Sequence, residues 1–253
     1  MGFESSEHKL VKSEDGSFTA YSTVFNEHYH STRDGALHES LSKHVIPAFK
    51  HHQDRDEITI LDICFGLGFN TLATLYYMKK QNITKQIRIY SPEFDADLIA
   101  SLKDFKYPDV FEEFLPVIEA LSTKGAYADD SLYIELYIGD ARHFLKETKE
   151  QFDIVYQDAF SPASNPILWT KEYFKDISSL IKDDGILTTY SMALKTRLAL
   201  YENGFNLYLN QGENHRDATI ASKELLTSYP QVNMAHKISC NPDVLSLRDD
   251  MLK

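Results

Sequence analysis

Cysteine is nearly missing from this sequence: Cys64 and Cys240 are the whole complement. Two thiols build neither a disulfide framework nor a zinc cluster, which sets aside the small stapled folds and the zinc-ribbon class. Apolar runs are short. None approaches the ~20 residues a membrane-spanning helix needs, so no membrane partner is expected. The opening residues, Met1-Gly2-Phe3-Glu4-Ser5-Ser6, offer no basic stretch followed by an apolar one, so no signal peptide is expected and a cytoplasmic location is. Basic charge is in deficit, with 26 Lys and Arg against 38 Asp and Glu and a formal net charge of -12. Generic coating of a phosphate backbone needs the opposite balance. No internal repeat and no low-complexity tract is present.

What is present is a well-stocked core. Fifteen Phe, fifteen Tyr and 43% apolar residues exclude disorder, and 253 residues suffice for one large α/β domain with or without a small appendage. Charge is unevenly spread. Residues 58–159 hold 10 basic and 17 acidic side chains, whereas 185–237 hold five basic (Lys195, Arg197, Arg216, Lys223, Lys237) and four acidic ones. The second stretch is the candidate landing site for a polyanion, with ordinary solvated surface as the plainer reading.

Residues 1–57 carry seven of the ten histidines and read as short strands (Phe18 to Phe25) and a helix from about His38 to Phe49. They are expected to form an N-terminal extension. His28 and His30 alternate on a strand-like segment, but with no cysteine nearby no metal site is expected. From residue 58 the pattern alternates. Ile58–Ile63, Ile87–Ser91, Tyr133–Ile138 and Phe152–Gln157 are β-branched, strand-like runs. Helical stretches follow at Asn70–Lys80, Ala96–Leu102 with Val110–Leu121, Ala141–Lys149 and Thr170–Leu180. Gly185–Thr189, Phe205–Leu209 and Ala218–Ser222 complete seven strands. Such alternation predicts a mostly parallel sheet with helices on both faces, spanning 58–240, and a loosely attached tail over 241–253. Ligands in such sheets sit beyond the carboxyl ends of the strands.

The chemistry-bearing residues all fall at those ends. Asp62-Ile-Cys-Phe-Gly66-Leu-Gly68-Phe-Asn70 runs from a strand through a glycine turn into a helix. Glycines allow close approach of a ligand to backbone, and the helix N-terminus offers unpaired N–H groups. The acid precedes the glycines, and Thr71 stands where a dinucleotide fingerprint has its third glycine. That favours a ligand with a cationic amino-acid end over a pyrophosphate. Glu93 follows the second strand, where a carboxylate can accept both hydroxyls of a ribose; Asp95 is its competitor. Asp140 can cap the next helix or, with the Ala141 N–H beside it, read an adenine edge. Asp158 ends an otherwise apolar strand and enters a loop with two prolines, where burial would be costly unless the carboxylate is paired. Trp169, the single tryptophan, is either core or a wall for a flat base.

Together these residues resemble the methyltransferase domain of the MnmC family. Gln157-Asp-Ala-Phe-Ser-Pro-Ala-Ser-Asn-Pro-Ile-Leu-Trp169 looks like the family's D-A-F-x-P-x-x-N-P-x-x-W. Tyr29-His-Ser31, with Gly35 and Glu39-Ser40, is similar to its Y-x-S…G-x-x-E-[ST], and the glycine loop matches at Asp62, Gly66, Gly68 and Asn70. Cys64 stands where the family has Gly, and the family's late Lys-Arg-Glu element reads His215-Arg216-Asp217 here.

The resemblance implies a Rossmann-like class I fold and S-adenosyl-L-methionine as the methyl donor. It implies tRNA as substrate, methylated on the 5-aminomethyl group of a 2-thiouridine at the wobble position. Cofactor contacts are then expected from Tyr29, Ser31, Glu39, Asp62, Gly66, Gly68, Asn70, Glu93, Asp140, Ala141 and Asp158. Substrate contacts are expected from Phe160, Asn165, Trp169, Lys195, Arg197 and Arg216. Asp158 is the expected catalytic residue, holding the ammonium and relaying its proton. The family's two-domain members add a flavin-dependent half. The reading here is a stand-alone methyltransferase fed by a separate flavin-dependent enzyme. An aminopropyltransferase of the polyamine-synthase type and a non-catalytic binding protein of the same fold are the alternatives.

Overall fold

The computed structural model describes residues 2–212 and 215–252. Three short strands, β1 (His8–Lys12), β2 (Phe18–Ser22) and β3 (Glu27–His28), form a small antiparallel sheet in that order. Helix α1 (Ala36–Ser40) passes through one π-helical turn, Leu41–Val45, into α2 (Ile46–His51). The helix expected over His38–Phe49 is therefore present, with a widened turn in its middle.

The alternating region follows as β4 (Glu57–Ile63), α3 (Phe69–Lys80), β5 (Gln86–Glu93), α4 (Ala96–Ser101), α5 (Leu115–Lys124), β6 (Ala126–Ala128) and β7 (Leu132–Ile138). It continues through α6 (Ala141–Glu147), β8 (Phe152–Gln157), α7 (Lys171–Leu180), β9 (Ile181–Thr189), α8 (Leu194–Tyr201), β10 (Asn206–Gly212), β11 (His215–Ser222) and α9 (Met234–Cys240). The main sheet has the order β10-β11-β9-β8-β4-β5-β7-β6. The five strands from β9 to β7 pair in parallel, and β11 pairs antiparallel with both its neighbours. Seven strands were expected; the eighth, β6, is a three-residue edge segment too short to show a periodicity.

Period-two alternation decides which face each strand residue serves. On β4, Ile58 and Ile60 join Leu72 of α3, Leu98 of α4 and Ile118 of α5. Leu61 and Ile63 face the other way, with Phe144 of α6, Phe174 and Ile177 of α7, and Leu198 of α8. Helix α7 shows the local logic. Its buried residues Tyr173, Phe174, Ile177 and Leu180 recur at helical spacing, and Thr170 caps it by accepting the Tyr173 N–H at 3.1 Å. Each fully buried Leu or Ile of this kind contributes about 1.5–3 kcal/mol. None of the described helices is long and apolar enough to cross a membrane.

At the end of the sheet away from the glycine loop, one carboxylate pins several elements. Asp153 is 1% exposed. It accepts the Thr59 N–H at 2.8 Å, the Lys182 ammonium at 2.9 Å and the Arg55 guanidinium at 2.8 Å. Its backbone carbonyl accepts Nε2–H of His52 at 2.9 Å, and burial pulls that imidazole down to about 4, so the ring is neutral. The C-terminal tail is not loose. Arg142 donates two hydrogen bonds to Asp249, at 2.8 and 2.7 Å, Arg248 reaches Glu172 at 2.9 Å, and the Lys171 N–H donates to the Leu247 carbonyl at 2.8 Å. These partners are far apart in sequence, which is why the tail's attachment leaves no local pattern.

Replacing Asp153 with Ala orphans the Thr59 N–H and two cations, and a loss of about 2–4 kcal/mol is expected. Urea unfolding measures it; an unchanged midpoint would show that the pin is not needed.

Candidate functional site

The loop after β4 is built on unusual backbone. Gly66 and Gly68 lie at φ of 54° and 75°, and Cys64 shares the left-handed region at 64°. For a residue with a side chain that conformation costs roughly 1–2 kcal/mol, a cost that glycine would not carry. Burial pushes the Cys64 thiol well up, so it stays protonated. A Cβ at Gly66 would stand 3.2 Å from the Tyr29 ring, so glycine here lets the loop and that ring close on each other. Gly68 caps α3 from the left-handed conformation.

Beyond the ends of β4, β5, β7 and β8 lies a cavity of about 890 Å³. Cys64 and Gly66 line it from β4, Glu93 and Asp95 from β5, Asp140 and Ala141 from β7, and Asp158, Phe160 and Asn165 from β8. The wall opposite comes from the N-terminal segment through Phe25, Tyr29, His30, Ser31 and Glu39. Among the described residues the lining carries eight carboxylates (from Glu7, Glu27, Glu39, Glu93, Asp95, Asp97, Asp140 and Asp158) against the guanidinium groups of Arg33 and Arg216. A cavity of that balance suits a cationic ligand.

Individual carboxylates are held in different ways. Glu93 accepts the Gly66 N–H at 2.8 Å and the Asp95 N–H at 3.0 Å, while burial raises its pKa. Asp95 caps α4, and its hydrogen bond with His8, at 3.2 Å, keeps it below the usual range. Asp140 both caps α6, through the Arg142 N–H at 2.7 Å, and lines the cavity. Asp158 lies on the floor, with Asp62 beneath it. One amide, Asn70 Nδ2, donates to Asp158 at 3.0 Å and to Asp62 at 3.2 Å. Burial, with the Asp158 charge beside it, lifts Asp62 to about 8, so it is protonated at neutral pH. Burial pushes Asp158 upward too, but His44, His30 and Asn70 outweigh it, and Asp158 stays ionised. Two neighbouring acids are thus driven to opposite protonation states.

Several expected contacts fall elsewhere. Asp62, Gly68 and Asn70 do not line the cavity; they form the layer beneath its floor. Trp169 is core: it is 1% exposed, and its indole N–H donates to the Phe160 carbonyl at 2.7 Å. It holds the loop's shape and is not a wall. Arg197 is no phosphate contact. Its side chain is buried, its Nε donates to Thr219 Oγ1 at 3.1 Å, and its guanidinium rests on the Met192 sulfur. Lys195 is exposed at the start of α8, away from the cavity lining. Arg216 is exposed and does line it. Glu213, Asn214 and the side chain of His215 lie outside the described residues.

Tyr29 meets Phe160 edge-on at 4.9 Å, and Phe25 stacks on Phe160 at 4.6 Å. Ser31 donates its N–H to Glu39 at 2.8 Å, and Glu39 is paired with Lys43. Phe25, Glu27 and His44 were passed over in the sequence. Their partners, Phe160, Ser161 and Asp158, lie more than a hundred residues downstream, and only the density of histidines before residue 57 hints at them.

A mostly parallel sheet with a glycine loop at its switch point and acids at successive strand ends defines a Rossmann-like class I S-adenosylmethionine-dependent methyltransferase. Residues 107–224 match the family described as S-adenosyl-L-methionine-dependent methyltransferase. The crystal structure of MNMC2 from Aquifex aeolicus superposes with a TM-score of 0.84 at 30% identity, covering 99% of this chain and 81% of that one. An uncharacterized protein from Methanocaldococcus jannaschii is 32% identical over 199 residues, 79% of this chain. The tRNA 5-methylaminomethyl-2-thiouridine biosynthesis bifunctional protein MnmC of Azoarcus sp. is 29% identical over 214 residues, 78% of this chain. The chain belongs to the MnmC-type methyltransferase family, whose cofactor is S-adenosylmethionine. It spans 54% of the Methanocaldococcus protein and 32% of the Azoarcus one.

The raised Asp62 makes stability depend on pH. In the folded chain it keeps its proton up to about pH 8, against a reference value of 3.8. The folded state therefore binds the extra proton between those values, and stability falls as pH rises through that window, by at most about 1.4 kcal/mol per pH unit. Asp62→Asn should flatten that slope. Urea unfolding of the apo protein at several pH values tests it, and an identical slope in the variant would place the proton elsewhere.

Proposed function

We propose that this chain methylates a primary amine, that of 5-aminomethyl-2-thiouridine at the tRNA wobble position. The observation that carries the reading is Asp158: a carboxylate kept ionised on the floor of an acid-rich cavity, beside a neutral Asp62. Such a group attracts an ammonium and takes its proton.

The cavity fits S-adenosylmethionine. Glu93 would hold the ribose hydroxyls, Asp140 and the Ala141 N–H the adenine edge, and Gly66 leaves room for backbone to approach. The neighbouring Tyr29, Ser31 and Glu39 would close the site over it. When bound, the cofactor supplies an activated methyl on a sulfonium, which leaves with sulfur keeping the bonding electron pair. The protein's own task is then placement and deprotonation. An amine with a pKa of about 10 needs about 4 kcal/mol to be neutral at pH 7; Asp158 would hold the ammonium at hydrogen-bond range, orient it and relay its proton. Phe160, stacked with Phe25, and Asn165 would receive the base. Arg216 and Lys195 would meet phosphates. A separate flavin-dependent enzyme would supply the aminomethyl-uridine. Polyamine synthases of similar fold carry two acids in the loop after this strand; here Asp158 is the single acid between 158 and 169, which disfavours that alternative.

The test is transfer of labelled methyl to tRNA from a strain lacking the modification. Wild-type protein should label it. Asp158→Ala should lose roughly 10²–10⁴-fold in turnover while calorimetric affinity for S-adenosylmethionine stays within a few-fold. Full turnover in the variant, or labelling of free polyamines instead of tRNA, would overturn the reading.

A further inference from the structure

Asp158 has a second partner that no motif singles out. Its Oδ2 is held by Asn70, but Oδ1 faces Nε2 of His44 at 3.4 Å. His44 sits on the π-helical turn Leu41–Val45, and its side chain has no solvent exposure. Such widened turns are rare and recur at functional sites. The ring is fixed on its other side by Nδ1, 2.9 Å from the Thr188 hydroxyl, and by an edge-on contact with Tyr156 at 5.6 Å. Nε2 is buried and makes no hydrogen bond among the described residues. A buried polar atom left open costs about 1–3 kcal/mol unless a role is served, and the nearest charged group is the carboxylate to which the mechanism hands a proton.

We infer that His44 is the positioning and proton-holding partner of Asp158: it takes up the proton that Asp158 receives from the acceptor amine and holds it until product leaves. The inference rests on the reading of Asp158 as the residue beside that amine. Thr188 makes the exchange possible, because a hydroxyl can accept or donate. With Nδ1–H donated to Thr188, Nε2 can take the proton once Asp158 has received it. The ammonium gives one proton to Asp158, and the carboxyl passes it to Nε2. An imidazolium and a carboxylate remain, and the amine nitrogen keeps the lone pair that forms the new N–C bond. The gain of charge on the imidazole equals the loss on the amine. The alternative, a histidine that merely packs, would leave the same ring contacts and no proton coupling.

Other charged and titratable groups face the pair. His30 lies across the cavity wall and feels both Asp158 and His44, with burial holding its pKa low. Glu39 on α1 is ion-paired with Lys43 of the same π turn. Asp62 is joined to Asp158 through Asn70, and the Tyr156 hydroxyl is 3.3 Å from that of Thr74. Of these, Asp158 is the one whose carboxylate points at Nε2.

The coupling can be read without any acceptor. In ¹⁵N-histidine NMR of the apo protein, the His44 ring is assigned by its contacts to Tyr156 and Thr188 and titrated in wild type and Asp158→Asn. Removing the carboxylate should lower its midpoint by about one pH unit or more. An unmoved midpoint overturns the inference, whether or not tRNA is the substrate. Turnover supplies the second arm. His44→Gln keeps a polar amide near Nε2 but cannot take up a proton. It should lower kcat about 10–100-fold, leave KM within about threefold, and move the acid side of the pH profile to higher pH. Wild-type kcat and profile in His44→Gln would mean a packing role only and would also overturn it. If neither tRNA nor a small amine is methylated by the wild type, the proposed function fails and the NMR result still decides the coupling.

Discussion

Burying negative charge is the constraint around which this structure is arranged. A carboxylate removed from water either finds donors or takes a proton. Both solutions stand next to each other, one on the cavity floor and one just beneath it. Asp62, 1% exposed, has Asn70 and Thr71 for company and takes the proton. Asp158, with Asn70, His44 and His30 around it, keeps its charge. One amide, Asn70 Nδ2, donates to both of them. Remove Asn70 and the same two acids would compete for a single proton, as closely spaced carboxylates do. The glycine loop is best understood from this floor upward: its left-handed turns put the start of α3, and with it Asn70, directly over the end of β4.

The N-terminal segment is the other half of the same arrangement. A Rossmann-like sheet alone leaves its carboxyl-end crevice open to water. Here the small sheet and the π turn close it, with Tyr29 against Gly66, Glu27 on Ser161, His8 on Asp95 and His44 behind Asp158. Exclusion of water strengthens each charge interaction inside, which suits the sulfonium of the cofactor. Meanwhile the far end of the sheet is held by Asp153 and its cations, so stability and chemistry are anchored at opposite ends of the strands.

What the sequence disclosed and what it hid follow one rule. Features set by neighbours in the chain were legible. Strand–helix alternation, the glycine turn, Thr170 at the head of α7 and acids at strand ends are all local patterns, and the parallel sheet followed from them. Features set by distant partners were not. Arg197 reads as a solvated cation, yet Thr219 and Met192 fold over it. Trp169 reads equally as core or wall until the Phe160 carbonyl claims its N–H. His44 is one histidine among many until Thr188 and Asp158 come within reach. The tail looked unattached because Asp249 is tied to Arg142, 107 positions earlier. β6 escaped for a different reason: three residues carry no period.

The order in which the chain emerges from the ribosome gives that distance a cost in time. Glu27 must wait for Ser161, His44 for Thr188, and the Ser42 carbonyl for Asn210, separations of 134, 144 and 168 residues. At roughly 5–20 residues per second, translation leaves this first-made segment without its partners for on the order of ten seconds. During that interval the turn that bears His44 is without the partners that hold it in the finished fold. The cavity wall is thus completed only after its downstream partners emerge.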